Sequence, residues 1–487
     1  MALGWSVRRS GYFDSVALMR VGEHARRLTD VIEVAVVMGT PANRAMLAEA
    51  GLLPAGAPPT DAADLVVAVS ARTEAAVQAA LVHVSELLAA RGDVGPAAGS
   101  GGPGFDRIVP RTLVSAVRSG APNVAVIAVP GPYAALEAHQ ALSFGLHVFL
   151  FSDGVPVDDE VALKLRARER GLFVMGPECG TAIVAGAGFG FANRVRRGPI
   201  GVVGASGTGI QEVTTLIHRW GGGVSHAIGT GGRDLHAAVG GITTLQAIER
   251  LGADDGTRVI VLVSKPSSRE VADRVLAAAA ALGTPVVACL LGYDGTVPPG
   301  VRAAATLEDA ASLALTLTGG SPVGAERAAA PHAARVSGSI RGLYSGGTLC
   351  DEARRLVGGG VHRFVDFGSE EYTRGRPHPI IDPSRRHAAI LDAAGDGDVG
   401  VLLLDLVLGD CAHPDPAGAL DPVLAEAYAR RQGRDLSVIA HVVGTDGDVQ
   451  GLARQEDTLR KRGVIVCPSN RAAALTARQL VGERRVE

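Results

Sequence analysis

Short, continuously apolar runs alternate with amphipathic stretches along most of this chain, and this alternation restricts the fold more than any other feature. Clear examples of the apolar runs are residues 124–129, 259–263 and 399–406. Such runs are typical of strands buried on both faces of a parallel sheet, and the stretches between them have the length of crossover helices. The sequence therefore predicts an α/β protein built from several parallel sheets.

Two stretches of low complexity divide the chain. Residues 92–106 and 321–336 are rich in Gly, Pro and Ala, a composition typical of linkers. A small N-terminal α/β domain, expected to be ferredoxin-like and to contain a strand at 12–19, occupies residues 1–91. Three further α/β domains are predicted at residues 107–198, 199–320 and 337–487.

Composition argues against several classes of protein. The formal net charge of −3 gives no support to the binding of nucleic acid or of an anionic membrane surface. No apolar run reaches the length of a membrane span. The five cysteines lack the spacing of a metal site, and their odd number, without a recognisable signal peptide, predicts a reduced, cytoplasmic protein.

The turn at residues 200–212 is the strongest candidate for a ligand site. A β-branched apolar run ends at Gly204, and apolar residues at helical spacing begin at Ile210. Between them lie Ser206, Gly207 and Thr208, so free backbone N–H groups and the positive end of a helix dipole are expected to face one spot. Such a spot favours an anion, most often phosphate. The alternative is a plain turn in which Ser206 or Thr208 caps the helix.

A second turn of the same type follows the strand predicted at 340–344. It consists of small and hydroxyl residues before another helical pattern, namely Ser345, Gly346, Gly347 and Thr348. The likeness between the two turns suggests two similarly built halves, each with an anion site at the start of a helix.

Two other strand ends in the 199–320 domain carry basic residues. Lys265 follows the strand at 259–263, and Ser267 or Ser268 is expected to cap the next helix. Gly231, Gly232 and Arg233 follow the strand at 224–228. Because parallel strands end at one edge of a sheet, Lys265 is expected beside the first turn, where it would face an anion. The alternative is a solvated Lys at a loop.

Polar residues also gather at two turns outside that domain. Glu178 and Cys179 lie at a strand end, a place where open α/β sheets bind ligands. Glu178 is a candidate to bind the substrate or phosphate, and Cys179 is expected to be structural rather than nucleophilic. The segment at 368–387 is unusually polar, and it is either a solvated loop or a site for a carboxylate or phosphate. Its candidate ligands are Glu371, Arg374, Arg376 and His378.

Four motifs in order resemble the α-subunit of succinyl-CoA synthetase: VPGPY at 129–133, SDGVP at 152–156, MGPECGTAI at 175–183 and GVVGASGTGIQE at 201–212. The segment at 340–480 resembles the carboxyl-terminal domain of that enzyme's β-subunit. With MGTPANRAML at 38–47 and RPHPIID at 376–382, the whole chain most resembles the FdrA family, the AllF-type subunits of oxamate carbamoyltransferase.

The resemblance implies a fold and an activity. It implies a Rossmann-like domain of the CoA-binding type at 107–198 and flavodoxin-like domains of the ligase type at 199–320 and 337–487. It also implies a cytoplasmic, oligomeric enzyme of purine and allantoin catabolism that works with companion subunits. The expected reaction interconverts oxalurate plus phosphate with oxamate plus carbamoyl phosphate. Lys265 and Arg233 would stabilise the phosphate, and the arginines of the polar loop would hold the carboxylate.

The chain also departs from the synthetases. The segment at 286–295, VVACLLGYDG, lacks the histidine that those enzymes phosphorylate, and Lys265 stands near the position of its supporting glutamate. Carbamoyl phosphate is already activated, so carbamoyl transfer is expected to need no nucleotide, CoA or other cofactor. The alternatives are a divergent CoA- and nucleotide-dependent ligase and a non-catalytic scaffold subunit.

Overall fold

The computed structural model describes residues 2–9, 15–53, 57, 59–61, 64–92, 110, 112–265, 267–322, 336–374, 376–431 and 435–481. Nearly all of the predicted linkers at 92–106 and 321–336 lies outside these residues. The chain divides into two compact units: Met1–Pro122 with Arg374–Pro377, and Asn123–Thr373 with His378–Glu487.

The first unit contains a three-stranded antiparallel sheet of order β1-β3-β2. Helix α2 begins after Thr40, whose hydroxyl accepts a hydrogen bond from the Asn43 N–H, and Pro41 occupies its first position. The strand predicted at 12–19 is wrong in its described part, because a helix begins at Ser15. The elements are β1 (Ala2–Arg8), α1 (Ser15–Arg26), β2 (Val31–Met38), α2 (Pro41–Glu49), β3 (Leu65–Ala71), α3 (Glu74–Gly92) and α4 (Leu113–Ser119).

The second unit begins with a three-stranded parallel sheet of order β4-β5-β6. Its apolar strands alternate with helices as the sequence predicts, and its central strand is buried at Val148, Phe149 and Leu150. The elements are β4 (Val124–Ile127), α5 (Gly131–Ser143), β5 (His147–Leu150), α6 (Val157–Glu169) and β6 (Val174–Met175).

A seven-stranded sheet follows, of order β13-β12-β11-β9-β10-β7-β8. Strands β9 to β13 form a parallel, flavodoxin-like sheet. The hairpin of β7 and β8 precedes the predicted boundary at residue 198, yet it joins this sheet through antiparallel pairing of β7 with β10. The elements are β7 (Thr181–Val184), β8 (Ala187–Gly190), β9 (Arg197–Gly204), α7 (Gly207–Arg219), β10 (Val224–Gly229), α8 (Ile242–Gly252), β11 (Val259–Ser264), α9 (Arg269–Ala280), β12 (Val286–Leu290), β13 (Val301–Ala303) and α10 (Leu307–Leu317).

The last domain repeats the flavodoxin-like order in a parallel sheet, β15-β14-β16-β17-β18. Every residue of β16 is buried, as its continuous apolar run predicts. The elements are β14 (Ser339–Tyr344), α11 (Gly347–Val357), β15 (Arg363–Asp366), α12 (Glu370–Thr373), α13 (Ser384–Gly395), β16 (Val399–Val407), α14 (Pro416–Arg430), β17 (Ser437–Val443), α15 (Leu452–Lys461), β18 (Ile465–Cys467) and α16 (Asn470–Val481).

The predicted fold class is thus confirmed: several parallel α/β sheets and a small N-terminal α/β domain. None of the helices in the described part of the chain combines the length and apolar character that a membrane crossing requires.

Candidate anion site at the junction of two helices

The first turn is an N-capped helix end, and its cap is one of the two residues that the plain-turn alternative names. Ser206 is the N-cap of α7, and its hydroxyl accepts a hydrogen bond from the Gly209 N–H at 3.0 Å. The N–H groups of Gly207 and Thr208 take no part in the hydrogen bonds of the described residues. Gly204 permits the tight turn, since a Cβ there would lie 2.8 Å from Ile210 Cγ1. The end of α7 therefore offers two backbone donors to a ligand.

The second turn is occupied in part by the chain's own carboxylate. The Ser345 and Gly346 N–H groups each donate to Asp405, both at 2.7 Å. Arg386 Nη1 in turn donates to Asp405 Oδ1 at 2.8 Å and to the Ser345 hydroxyl at 2.7 Å. These two N–H groups, predicted to bind an external anion, are thus satisfied internally, while those of Gly347 and Thr348 have no acceptor in the described residues.

The two helix ends meet within one unit of the chain. The Ser206 and Thr348 hydroxyls are hydrogen-bonded to each other. A Cβ at Gly346 would lie 3.0 Å from Thr208 Cβ, so the backbone of the second turn lies against the Thr208 side chain of the first. The positive ends of two helix dipoles therefore converge on one place, which favours an anion there.

Lys265, predicted to stand beside the first turn, lies at the start of α11 in the second turn. Its Nζ is 3.7 Å from Asp366 Oδ2, and its side chain is 40% exposed. A Cβ at Gly347 would lie 2.3 Å from both Lys265 Nζ and Asp366 Oδ2, which places the pair at the first residue of α11. Burial raises the pKa of Asp366, and the charge of Lys265 opposes that shift.

His378 joins the same group. A Cβ at Gly368 would lie 2.8 Å from His378 Nε2 and 3.1 Å from Asp366 Oδ1. Burial, and then the charge of Lys265, lowers the pKa of His378 to about 4, so its ring is neutral at pH 7. The Ile380 N–H donates to Nδ1 at 3.2 Å. Since Nδ1 accepts, the ring proton belongs on Nε2, which is a hydrogen-bond donor.

Arg233 is held in a separate ion cluster, contrary to its predicted role beside the phosphate. Its guanidinium pairs with Glu160 at 3.0 Å and donates to the Val155 carbonyl at 2.8 Å. Glu160 and Asp234 also flank Lys164. The neighbouring Gly231 and Gly232 lie against the 176–178 turn, where Glu178 is exposed with φ of 58°.

Ser267 and Glu371, also predicted to bind the ligand, are not among the residues that contact Lys265, Asp366 or His378 in the described part of the chain. Ser267 precedes the N-cap of α9, which is Ser268. Glu371 is exposed on α12, and Arg374 and Arg376 are exposed and belong to the first unit. Asp366 and Asp405 are not among the candidate residues that the sequence indicates. A single carboxylate within the apolar run of β16 was the available signal for Asp405, because an unpaired buried carboxylate is costly.

Comparisons with known proteins match the two flavodoxin-type domains. A family model described as "CoA binding domain" matches residues 195–290, beginning where the predicted CoA-binding-type domain at 107–198 ends, and one described as "CoA-ligase" matches 343–480. YahF of Escherichia coli (strain K12) is 38% identical over 515 residues, covering 98% of each chain. The succinate–CoA ligase [ADP-forming] α-subunit of Aquifex aeolicus (strain VF5) is 30% identical, covering 42% of this chain and 67% of that protein. A solved structure of the dinucleotide forming acetyl-coenzyme A synthetase 1 of Ca. Korarchaeum cryptofilum, in complex with phosphate and ADP, is 15% identical with a TM-score of 0.33 and covers 74% of this chain and 82% of that one.

A model described as "AllF, heavy metal-associated domain" matches residues 1–101. The donor set does not fit a heavy-metal site, because these residues contain no cysteine. The two histidines in this range have different neighbours: His24 contacts the Arg20 carbonyl, and His83 lies beside Glu86. No cluster of metal-ligating side chains occurs in the described part of the chain.

Proposed function

Since the chain belongs to the family of YahF and carries CoA-binding and CoA-ligase-type domains, we propose that it acts on an acyl phosphate, specifically carbamoyl phosphate, at the junction of α7 and α11. The observation that carries the proposal is the convergence of two helix N-termini beside Lys265 and the Nε2–H of His378. The helix ends and Lys265 suit a phosphate group, and a neutral histidine donor suits a carbonyl oxygen.

The proposed reaction is carbamoyl transfer from carbamoyl phosphate to the amide nitrogen of oxamate. The nitrogen attacks the carbamoyl carbon, the bond between that carbon and the phosphate oxygen breaks, and the nitrogen's proton goes to the departing phosphate. Oxalurate and phosphate result. The Gly207 and Thr208 N–H groups and Lys265 stabilise the charge on the phosphate, while His378 Nε2–H donates to the carbonyl oxygen as its negative charge grows.

The tautomer of His378 argues against a phosphohistidine at this residue. A nucleophilic Nε2 needs a free lone pair, with the ring proton on Nδ1. Here Nδ1 accepts the Ile380 N–H, so Nε2 carries the proton instead. The segment at 286–295 supplies no histidine either. Direct transfer from an already activated phosphate needs no such intermediate.

Two arginines of the polar loop are engaged within the chain: Arg386 pairs with Asp405, and Arg385 donates to the Tyr372 carbonyl. We therefore propose that companion subunits of an oligomeric complex contribute to binding of the acceptor.

The test is phosphate-dependent cleavage of oxalurate, measured as carbamoyl phosphate formed, with the full chain alone and co-expressed with its genomic neighbours. Lys265→Ala and His378→Leu are expected to lower kcat by about 100-fold or more, while His378→Gln, which keeps a donor near Nε2, retains more activity. Lys461→Ala is the matched control, since Lys461 is 79% exposed on α15. Equal activity in Lys265→Ala and Lys461→Ala would refute the assignment.

CoA- and nucleotide-dependent ligation is the second candidate, and the matches to CoA-binding and CoA-ligase models favour it. The discriminating measurement is incorporation of phosphate from ATP into the protein, followed by its discharge on adding CoA and a carboxylic acid. Labelling of the wild type without oxalurate cleavage in any complex would select the ligase and reject the carbamoyltransferase.

A further inference from the structure

Thr181 presents an unpaired hydroxyl beside the end of α7. It is the first residue of β7 and is 1% exposed, and its buried Oγ1 has no hydrogen-bond partner among the residues that the structure describes. A buried hydroxyl without a partner is costly, and most such groups in folded proteins are satisfied. An unsatisfied hydroxyl at Thr181 therefore needs a physical explanation.

The Thr181 hydroxyl lies beside the first residue of α7. The atom nearest to the place where Gly207 would carry a Cβ is Thr181 Oγ1, at 3.6 Å, followed by Gly180 Cα at 3.7 Å. Gly207 is the first residue of α7, whose N–H is free of acceptors in the described residues. Along β7 side chains alternate, so Ala182 packs in the apolar core while Thr181 faces the helix end.

We infer that Thr181 is a ligand of the anion bound at α7, its hydroxyl donating to the same phosphate that the Gly207 and Thr208 N–H groups hold. This inference rests on the proposed function for the location of the phosphate. The hydroxyl remains unpaired in the free protein and gains its partner when an anion oxygen enters between two turns that carry no side chains at Gly180 and Gly207.

Ser206 and Thr214 serve as comparisons for Thr181, because both carry hydroxyls that already have hydrogen-bond partners. The Ser206 hydroxyl already bonds Thr348 and the Gly209 N–H, so it organises the helix end. Thr214, on the same helix and also buried, donates to the Gln211 carbonyl at 3.2 Å. Replacing Thr214 by Val removes a satisfied hydroxyl, whereas the same change at Thr181 removes an unsatisfied one.

The experiment measures the binding of inorganic phosphate to the full chain by titration calorimetry, together with the unfolding temperature of each variant. Thr181→Val is expected to weaken phosphate binding by about 10- to 100-fold, the usual effect of losing one hydrogen bond to a charged group. Its unfolding temperature is expected to stay level or rise, because a methyl group replaces an unsatisfied hydroxyl. Thr181→Ser should retain most of the affinity, and Thr214→Val should keep the affinity but lower the unfolding temperature.

Two results would overturn the inference. One is wild-type affinity in Thr181→Val; the other is a loss of stability matching that of Thr214→Val, which would show that the hydroxyl has a structural partner such as a buried water. Ser206→Ala separates this inference from the proposed site. If Ser206→Ala weakens phosphate binding and Thr181→Val does not, the anion site at α7 stands and the role of Thr181 falls. If the wild type binds no phosphate, both fall.

Discussion

Replacing Lys164 by Met removes the centre of a buried ion cluster. Lys164 is 1% exposed, and its Nζ donates to Glu160 Oε1 and Asp234 Oδ1, both at 2.7 Å, and to the Thr230 carbonyl at 2.9 Å. All three of its donors are therefore used. The cluster ties α6 to the loop that follows β10, so its loss affects the packing of two sheets.

The expected loss in the free energy of unfolding follows from the charges that remain when Lys164 is replaced. In the wild type Lys164 and Arg233 balance Glu160 and Asp234. In Lys164→Met one buried carboxylate lacks a counterion, and removing one partner of a buried ion pair costs roughly 3–5 kcal/mol. Adding Glu160→Gln restores the balance of charge, so we expect the double variant to recover part of this loss.

The assay is urea unfolding followed by the fluorescence of Trp220. The chain has two tryptophans, Trp5 in the first unit and Trp220 in the second. A Trp5→Phe background therefore reports on the second unit, which contains Lys164. Lys461→Met is the control, since that lysine is 79% exposed and 3.3 Å from Asp457, and it should change the free energy of unfolding by less than about 1 kcal/mol.

A loss of less than about 1 kcal/mol in the free energy of unfolding of Lys164→Met would contradict a stabilising role of the ion cluster. Further destabilisation on adding Glu160→Gln to Lys164→Met would contradict it too, because uncompensated charge would then not be the cause.

Two further predictions concern the interface of the flavodoxin-type domains. Gly347→Ala would place a Cβ 2.3 Å from Lys265 Nζ and Asp366 Oδ2. Because both atoms are at the ends of side chains that can move, we expect the unfolding temperature to change little, while the rate of oxalurate cleavage falls about tenfold or more. Unchanged activity would argue against a role of Lys265 at the site. His441 and Glu212 form a buried pair at 2.7 Å. Burial lowers the pKa of His441, but the charge and hydrogen bond of Glu212 outweigh burial, so the pKa of His441 is raised overall. A raised pKa gives stability that is full below the ordinary value near 6.5 and lost as pH rises through the folded value, so the difference in unfolding free energy between wild type and His441→Gln should shrink as pH rises above about 6.5. A difference that grows with pH would contradict the pairing.

Local pattern was sufficient for much of the fold. The apolar runs predicted the parallel strands around Val148, Val261 and Leu403, and the glycine and hydroxyl residues before α7 and α11 predicted two helix ends. These features depend on residues a few positions apart, where periodicity and capping chemistry operate. The flavodoxin-like order of both sheets came from the resemblance and is confirmed by the strand pairing.

Other features depend on partners distant in sequence. No local pattern shows that Asp405 satisfies the Ser345 and Gly346 N–H groups, or that Glu160 holds Arg233 away from its predicted role. Likewise, no local pattern assigns the hairpin of β7 and β8 to the following sheet, since that depends on which strand edge is open for pairing.

The sequence by itself determined that this chain forms parallel α/β domains with two helix ends suited to an anion, because backbone geometry and helix capping are local properties. Only the tertiary structure decided that the two ends meet. Ser206 and Thr348 are 142 positions apart, and their contact depends on how two separately formed sheets pack together. It also placed Lys265, His378 and the unpaired hydroxyl of Thr181 around that contact, since the positions of side chains in space follow from packing rather than from sequence spacing.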